Sequence, residues 1–247
     1  LKVGDRVVTP GNQGMGERGS YAEYLHAAAE RTIRLPDHVS FQQAASLPTA
    51  GMTAWEATLD NGKAAAGSAV VINGGAGGCG SFAIQIAKMV GAKVATTCSA
   101  HNSDYVRSLG ADHVIDYRQG GVTEAIRQWA PDGVDLVVDT VGQGSLIDVL
   151  PAMKRGGVIC PIGTLIADEP QVDAAQAEAA GVTVIPTISN FANQPRQLAE
   201  LVKALADGRI VAPELKVLPL AEAGEAHRLV QAGHVRGKLL LEVNASL

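Results

Sequence analysis

Between Ala69 and Ser81 the chain reads Val70-Val71-Ile72-Asn73-Gly74-Gly75-Ala76-Gly77-Gly78-Cys79-Gly80. Five of the seven positions from Gly74 to Gly80 are glycine. Side chains are missing from such a stretch for one of two reasons. Either the backbone must approach a phosphate, or the segment is a flexible linker. The flanks decide between them. An apolar strand, Ala69 to Ile72, enters the stretch, and a helix from Ser81 to Val90 leaves it with its apolar residues mostly on one side. A flexible linker is not followed at once by a packed amphipathic helix. Strand, glycine loop and helix in that order form the context of a dinucleotide fingerprint. Gly74, Gly77 and Gly80 have G-x-x-G-x-x-G spacing. Gly77 is expected to let the backbone approach a pyrophosphate. Gly80 is expected to bring the helix close to the strand. The competing reading is a purely structural turn.

The end of the second strand selects the nucleotide. An NAD-binding unit carries Asp or Glu about 20 residues past the glycines, bonded to the ribose 2′-hydroxyl. Here the region is Thr96-Thr97-Cys98-Ser99-Ala100-His101-Asn102, with no acid before Asp104. A carboxylate would repel a 2′-phosphate, whereas hydroxyl and amide groups bond it. NADPH is therefore the expected cofactor, with Ser99 and Asn102 at its phosphate. Helix capping is the alternative employment for both. His101 reads as a solvated loop residue.

These groups must be held by a regular frame. Short strands are expected at Arg6–Val8, Ser20–Leu25 and Arg31–Pro36, and helices from Ser40 to Ala45 and from Met52 to Leu59, with Pro48 interrupting between them. Strand and helix then alternate. Strands are expected at 69–72, 93–97, 113–116, 136–139, 158–161 and 182–186. Helices are expected at 81–90, 103–109, 122–129 and 146–153, with Gly156-Gly157 as a turn. The strands are continuous apolar runs, as in parallel sheets buried on both faces. The fold class is therefore α/β, a doubly wound Rossmann sheet. After Ile210 come strand signals at 215–218 and 238–241, around a helix from Ala221 to Ala232.

Composition removes several function classes. The formal net charge is −5 and no basic run stands out, so a nucleic-acid partner is not expected. No apolar stretch reaches the ~20 residues of a membrane helix, so no membrane partner is expected either. Cys79, Cys98 and Cys160 are far apart and lack metal-ligand spacing, which reads as reduced thiols in a cytoplasmic protein.

Several motifs together resemble one family. They are Val3-Gly4-Asp5-Arg6-Val7, Gly19-Ser20-Tyr21-Ala22-Glu23-Tyr24, Leu47-Pro48-Thr49-Ala50-Gly51-Met52-Thr53-Ala54-Trp55, the glycine stretch, Leu109-Gly110-Ala111-Asp112 and Gly237-Lys238. In this order they resemble the zinc-independent, quinone oxidoreductase-like branch of the medium-chain dehydrogenase/reductase superfamily. The resemblance implies a Rossmann domain, residues 45–209, inside a GroES-like β domain built from both chain ends, residues 1–44 and 210–247. It also implies that the GroES-like part is partial, because relatives carry further strands before the Gly-Asp-Arg-Val motif. Carried over by position, Thr53 would lie near the nicotinamide, Gly77, Gly78 and Gly80, with Cys79 among them, would meet the pyrophosphate, and Tyr117 would join Ser99 at the 2′-phosphate and adenine end. Val141, Gly142 and Gly163 would approach the ribose and nicotinamide, and Lys238 would reach the phosphate end.

Zinc-dependent relatives place a cysteine cluster after the Gly-Asp-Arg-Val strand and a ligand just before the Thr-Ala-Trp element. Neither Val8–Arg18 nor Leu47–Met52 holds a cysteine or histidine, so no metal is expected. Without a metal to lower an alcohol's pKa, reduction of an activated acceptor is the expected chemistry. A quinone or an α,β-unsaturated carbonyl would take hydride from NADPH. No catalytic side chain is assigned: Tyr21, Tyr24, Tyr105 and Tyr117 all lack a lysine four residues on. The first alternative is an NADPH-binding protein or fragment without turnover. A Rossmann-like methyltransferase ranks third, since it would want an acid where Thr97-Cys98 stands. A homodimer through the edge strand near Val182–Pro186 is also expected.

Overall fold

The computed structural model describes residues 1–11, 19–162, 170–188, 190–233 and 235–243. Gly163 and most of the Gly11–Gly19 loop lie outside them. From the N-terminus come β1 (Val7–Val8), β2 (Ile33–Arg34), α1 (Phe41–Ala45) and α2 (Met52–Trp55). Next are β3 (Ala69–Asn73), α3 (Gly78–Met89), β4 (Lys93–Cys98), α4 (Ser103–Ser108) and β5 (His113–Asp116). They are followed by α5 (Val122–Trp129), β6 (Val134–Asp139), β7 (Met153–Pro161), α6 (Ala174–Ala180) and β8 (Thr183–Val184). Last come α7 (Gln194–Ala206), β9 (Leu215–Pro219), α8 (Ala223–Gln231) and β10 (Lys238–Glu242).

The chain forms two compact units, one from Leu1–Met52 with Asn190–Leu247 and one from Thr53–Ser189. The sequence reading put the corresponding boundaries at 44/45 and 209/210. In the first unit β1 pairs antiparallel with β2, and β9 pairs parallel with β10. Parallel neighbours need a crossover, and α8 supplies it. Arg6 fixes the turn after β2 by donating to the carbonyls of Pro36, Asp37 and Val39 at 2.7–3.0 Å. Its guanidinium also sits over the Phe41 ring, 4.5 Å from the centroid.

The second unit is a parallel six-stranded sheet in the order β5-β4-β3-β6-β7-β8. Val71, Ala95, Ile115, Val137 and Ile159 form one face, packed with Ile126 of α5 and Ala177 of α6. Side chains alternate along a strand, so Val70, Ile72, Leu136 and Val138 fill the other face and are fully buried. There α3 packs on β3 and β4 and is covered by the widened helical stretch Glu56–Asn61. Every residue from Gly80 to Ala87 is consequently buried, not one stripe alone. Chain order reverses at β3: β4 and β5 lie to one side, β6 to β8 to the other. The crevice past the carboxyl ends of β3 and β6 is the ligand position of such a sheet.

Four expectations need correction. Ser20–Leu25 is not a strand; Tyr21, Tyr24 and Leu25 are exposed, and no described strand pairs with the segment. An unpaired strand gains no ladder bonds, so its tyrosines and leucine alone do not extend it. The expected helix at 146–153 is a run of turns closed by i→i−3 bonds, such as Val149 N–H to Leu146 O at 3.2 Å, ending in a 3-10 turn at Leu150–Ala152. Pro151 would clash with the carbonyl four residues back in an α-helix, and Leu150 before it is steered away from α geometry. Gly156-Gly157 is not a connection but an irregularity inside β7, where the pairing with β6 shifts register. Gly156 has φ +84, and a Cβ on Gly157 would stand 2.9 Å from Lys154 O. Finally, the helix expected from Met52 to Leu59 keeps α geometry only to Trp55 and then widens over Glu56–Asn61.

Candidate functional site

The switch point is tied by a closed polar network. Asn73 ends β3 and donates through Nδ2 to Asp139 Oδ1 at 2.7 Å and to Ser145 Oγ at 2.8 Å. Its Oδ1 accepts from Thr97 Oγ1 at 2.5 Å, and Thr97 Oγ1 accepts from the Gly74 amide at 2.9 Å. Asp139 Oδ1 also accepts from the amides of Val141 and Gly142, both at 3.0 Å. Thr140 Oγ1 donates to Asn73 O at 2.6 Å. Asn73 and Thr97 are buried. Three strand ends, β4, β3 and β6, are thus fixed with their buried polar groups satisfied, the condition under which such a network rigidifies a site. This positions Val141, 41% exposed, and Gly142 at the mouth of the crevice.

The glycines divide by role. A Cβ at Gly80 would lie 2.3 Å from Gly74 O and 2.8 Å from Gly75 Cα, and one at Gly75 would lie 2.1 Å from Thr96 Oγ1. Gly74 has φ +81, and its Cβ would meet Val141 and Thr140 at 2.6 and 2.7 Å. Packing and backbone geometry therefore explain these three. They do not explain Gly77, which caps α3 with an ordinary φ of −77°. A Cβ there would meet only Gly74 O, at an ordinary 3.5 Å. The space beside Gly77 is left open by the protein and fits the close backbone approach of a ligand. Gly78, Cys79 and Gly80 form the first turn of the 12-residue α3. A helix N-terminus is where amides lack intrahelical acceptors and attract anions.

At the end of β4, Ser99 and Asn102 each precede a helical turn, yet neither side chain caps it. Instead Asn102 Nδ2 lies 3.4 Å from Ser99 Oγ, which lies 3.1 Å from His101 Nδ1. Asn102 is only 8% exposed, and its Oδ1 has no hydrogen-bond partner. An orphaned buried acceptor costs about 1–3 kcal/mol, so it is kept where something else satisfies it. Tyr117, 41% exposed, follows the neighbouring strand β5, with the Arg118 guanidinium 5.9 Å from its ring centroid.

Thr53 is buried on α2, where it opens the second unit. Lys238 belongs to the first unit. It opens β10, donates its amide to Glu214 O at 2.8 Å and borders a cavity of about 780 Å³ within that unit. Sequence reasoning missed Asn73, Thr97 and Asp139. Their signal was available as polar residues closing apolar strands.

Among the described residues no group of three or more His, Cys, Asp or Glu is assembled where it could hold a metal ion. Burial pushes the Cys160 thiol up to about 11, with Thr187 opposing and Glu56 adding to the rise. Burial also raises Cys98, against a bond from Ser103. Metal ligation needs the thiolate. No helix of the described residues is long and apolar enough to cross a membrane.

Comparison with known proteins agrees with this geometry. A family model described as zinc-binding dehydrogenase matches residues 109–241. A trans-enoyl reductase of Aspergillus terreus is 43% identical over 124 residues, 50% of this chain and 34% of that one. The quinone oxidoreductase of Coxiella burnetii superposes with a TM-score of 0.80 at 32% identity, covering 97% of this chain and 72% of that one. Escherichia coli quinone oxidoreductase complexed with NADPH gives 0.85 at 26% identity, covering 98% and 76%. The chain thus spans about a third of the curated reductase it matches. With the Rossmann sheet and glycine loop, these matches place the chain in the zinc-binding dehydrogenase family of the medium-chain dehydrogenase/reductase superfamily.

Proposed function

We propose that this chain is the cofactor-binding part of an oxidoreductase that uses NADPH to reduce a quinone or an α,β-unsaturated carbonyl without zinc. The observation that carries the reading is Gly77, a glycine whose missing side chain neither packing nor backbone conformation requires. Bound NADPH would supply the hydride. The first turn of α3 would hold the pyrophosphate through the amides of Gly78, Cys79 and Gly80. Ser99, Asn102 and Tyr117 would receive the adenosine end, and the absence of an acid there favours the 2′-phosphate. Val141 and Gly142, held by Asp139, would set the depth of the ribose and nicotinamide, and Thr53 would lie beside them. Their work is positioning and exclusion of water.

The family name includes zinc, but the donor set of the described residues does not fit it, so no step here is routed through a metal. The trans-enoyl reductase and the quinone oxidoreductases among the similar proteins support the two acceptor classes. A reduced compartment suits Cys79, Cys98 and Cys160, none of which is joined in a disulfide. A homodimer through β8, an edge strand among the described residues, completes the proposal, and light scattering tests it. The test of function is a screen of quinones and enones with NADPH, read as loss of nicotinamide absorbance. Turnover of either class supports the reading. Cofactor binding with no turnover of any acceptor would leave a nucleotide-binding protein instead.

A further inference from the structure

Among the described residues, three other than glycine have a positive φ: Thr49 at 62°, Lys63 at 54° and Gln143 at 55°. Two of them have local reasons. Lys63 follows the helical stretch Glu56–Asn61, its amide bonded to Leu59 O at 3.2 Å. Gln143 lies in the turn after β6, between Gly142 at φ 68° and Gly144 at φ 69°. A positive φ is ordinary where a helix or strand ends. Thr49 differs on two counts. Its ψ of −71° lies far from the left-handed helical region and close to the tight γ-turn, which is rare and strained. Threonine is also β-branched, the kind of side chain least suited to such a backbone.

Packing does not account for a threonine there. Its neighbours Leu47, Ala50 and Gly51 are buried, but Thr49 itself is exposed. A glycine would hold the same φ without the strain. Strain of this kind persists where a site uses the residue. Thr49 lines the cavity of about 780 Å³ in the first unit. Val8 of β1, Phe41 of α1 and Leu239 and Leu241 of β10 give that cavity an apolar wall. Gln42 and Glu242, also at the wall, are bonded to each other, the amide donating to the carboxylate at 3.2 Å. A volume of this size with a largely apolar wall and a few polar groups is the usual form of a small-molecule site. The carbonyl of Thr49 accepts from the amide of Met52, which fixes the turn to the start of α2.

We propose that Thr49 is a specificity-determining residue of this cavity, its hydroxyl donating to the carbonyl oxygen of the acceptor while the apolar wall takes the acceptor's carbon skeleton. This rests on the reading of the chain as a reductase of quinones or enones, and adds to it the residue that selects the acceptor. A carbonyl oxygen is the hydrogen-bonding group that quinones and α,β-unsaturated carbonyls share, and a hydroxyl is a donor for it. The ligand class that fits is therefore an activated carbonyl on an apolar body. Gly77 and Thr49 pose opposite questions: at Gly77 a side chain is missing where it would fit, and at Thr49 one is kept where the backbone opposes it.

The experiment is calorimetric titration of the full chain with menadione and with 2-methylnaphthalene, which has the same ring body and no carbonyl, for the wild type and for Thr49→Val, Thr49→Ser and Thr49→Gly. Menadione affinity is expected to fall about tenfold in Thr49→Val, the scale of one hydrogen bond, and to stay within about threefold in Thr49→Ser. Affinity for 2-methylnaphthalene should be the same in the wild type and Thr49→Val. Urea denaturation supplies the second readout: Thr49→Gly should keep or raise the midpoint, because it relieves the strain. No binding of menadione to the wild type overturns the inference, as does equal binding by wild type and Thr49→Val. So does a parallel loss of both probes, which would mean that the residue acts through shape alone. A clear drop in the Thr49→Gly midpoint also overturns it, since the threonine would then serve the fold. Menadione that binds through Thr49 but is never reduced with NADPH would count against the reductase reading and leave the site standing.

Discussion

The crevice has two ends built on opposite plans. Where β3, β4 and β6 end side by side, Asn73, Thr97, Asp139 and Thr140 satisfy one another and the backbone groups around them. In the turn beyond β4, Ser99, His101 and Asn102 form a looser chain that leaves Asn102 Oδ1 without a partner. The first end has its polar groups matched before any ligand arrives. The second has a group unmatched, which a ligand can complete. A pyrophosphate and ribose common to all dinucleotides suit a rigid cradle. A substituent that differs between NADH and NADPH suits a reader still open to adjustment.

Substitutions probe this difference in order of size. Gly80→Val should be the most damaging, because its Cβ meets the backbone of Gly74 and Gly75 and neither can yield. A loss of about 3 kcal/mol is expected in chemical denaturation, at the upper end for overpacked sites. Asn73→Ala comes next. It strands Thr97 and frees one bond of Asp139, at a cost of about 2 kcal/mol. Asn102→Ala makes the same chemical change at the other end and should cost under about 0.5 kcal/mol, since it also removes an unsatisfied buried oxygen. Equal losses for the two asparagines would erase the distinction between the ends. Gly77→Ala should leave stability within about 0.5 kcal/mol. Its effect should appear in NADPH affinity, lowered roughly tenfold by displacing the phosphate from the helix amides. A Gly77→Ala protein that binds normally would mean that the space beside this glycine is not used.

Much of this frame was legible in the residues. Continuous apolar runs marked β3 to β7 because strands covered on both faces have no polar alternation to confuse them. The glycine loop was legible because strand, loop and helix are contiguous in sequence. What failed was local pattern without its partner. Ser20–Leu25 has the composition of a strand but pairs with none among the described residues, and residues 146–153 have helical periodicity that Pro151 defeats. Gly156-Gly157 looks like a turn because a bulge and a turn use the same residue. The Asn73–Thr97–Asp139 network joins residues from three separate strands; in sequence each shows only as a polar residue closing an apolar run, and their bonding to one another does not show at all. The open state of Asn102 is likewise a fact of packing. Sequence could say only that no carboxylate stood there.

The most direct test is equilibrium titration of the chain with NADPH and NADH at pH 6.5, followed by tryptophan fluorescence and calorimetry. Saturable binding of both at one site, with NADPH tighter, is the predicted result. Absence of binding would contradict the glycine cradle, and a clear preference for NADH would contradict the assignment of Ser99 and Asn102 to the 2′-phosphate.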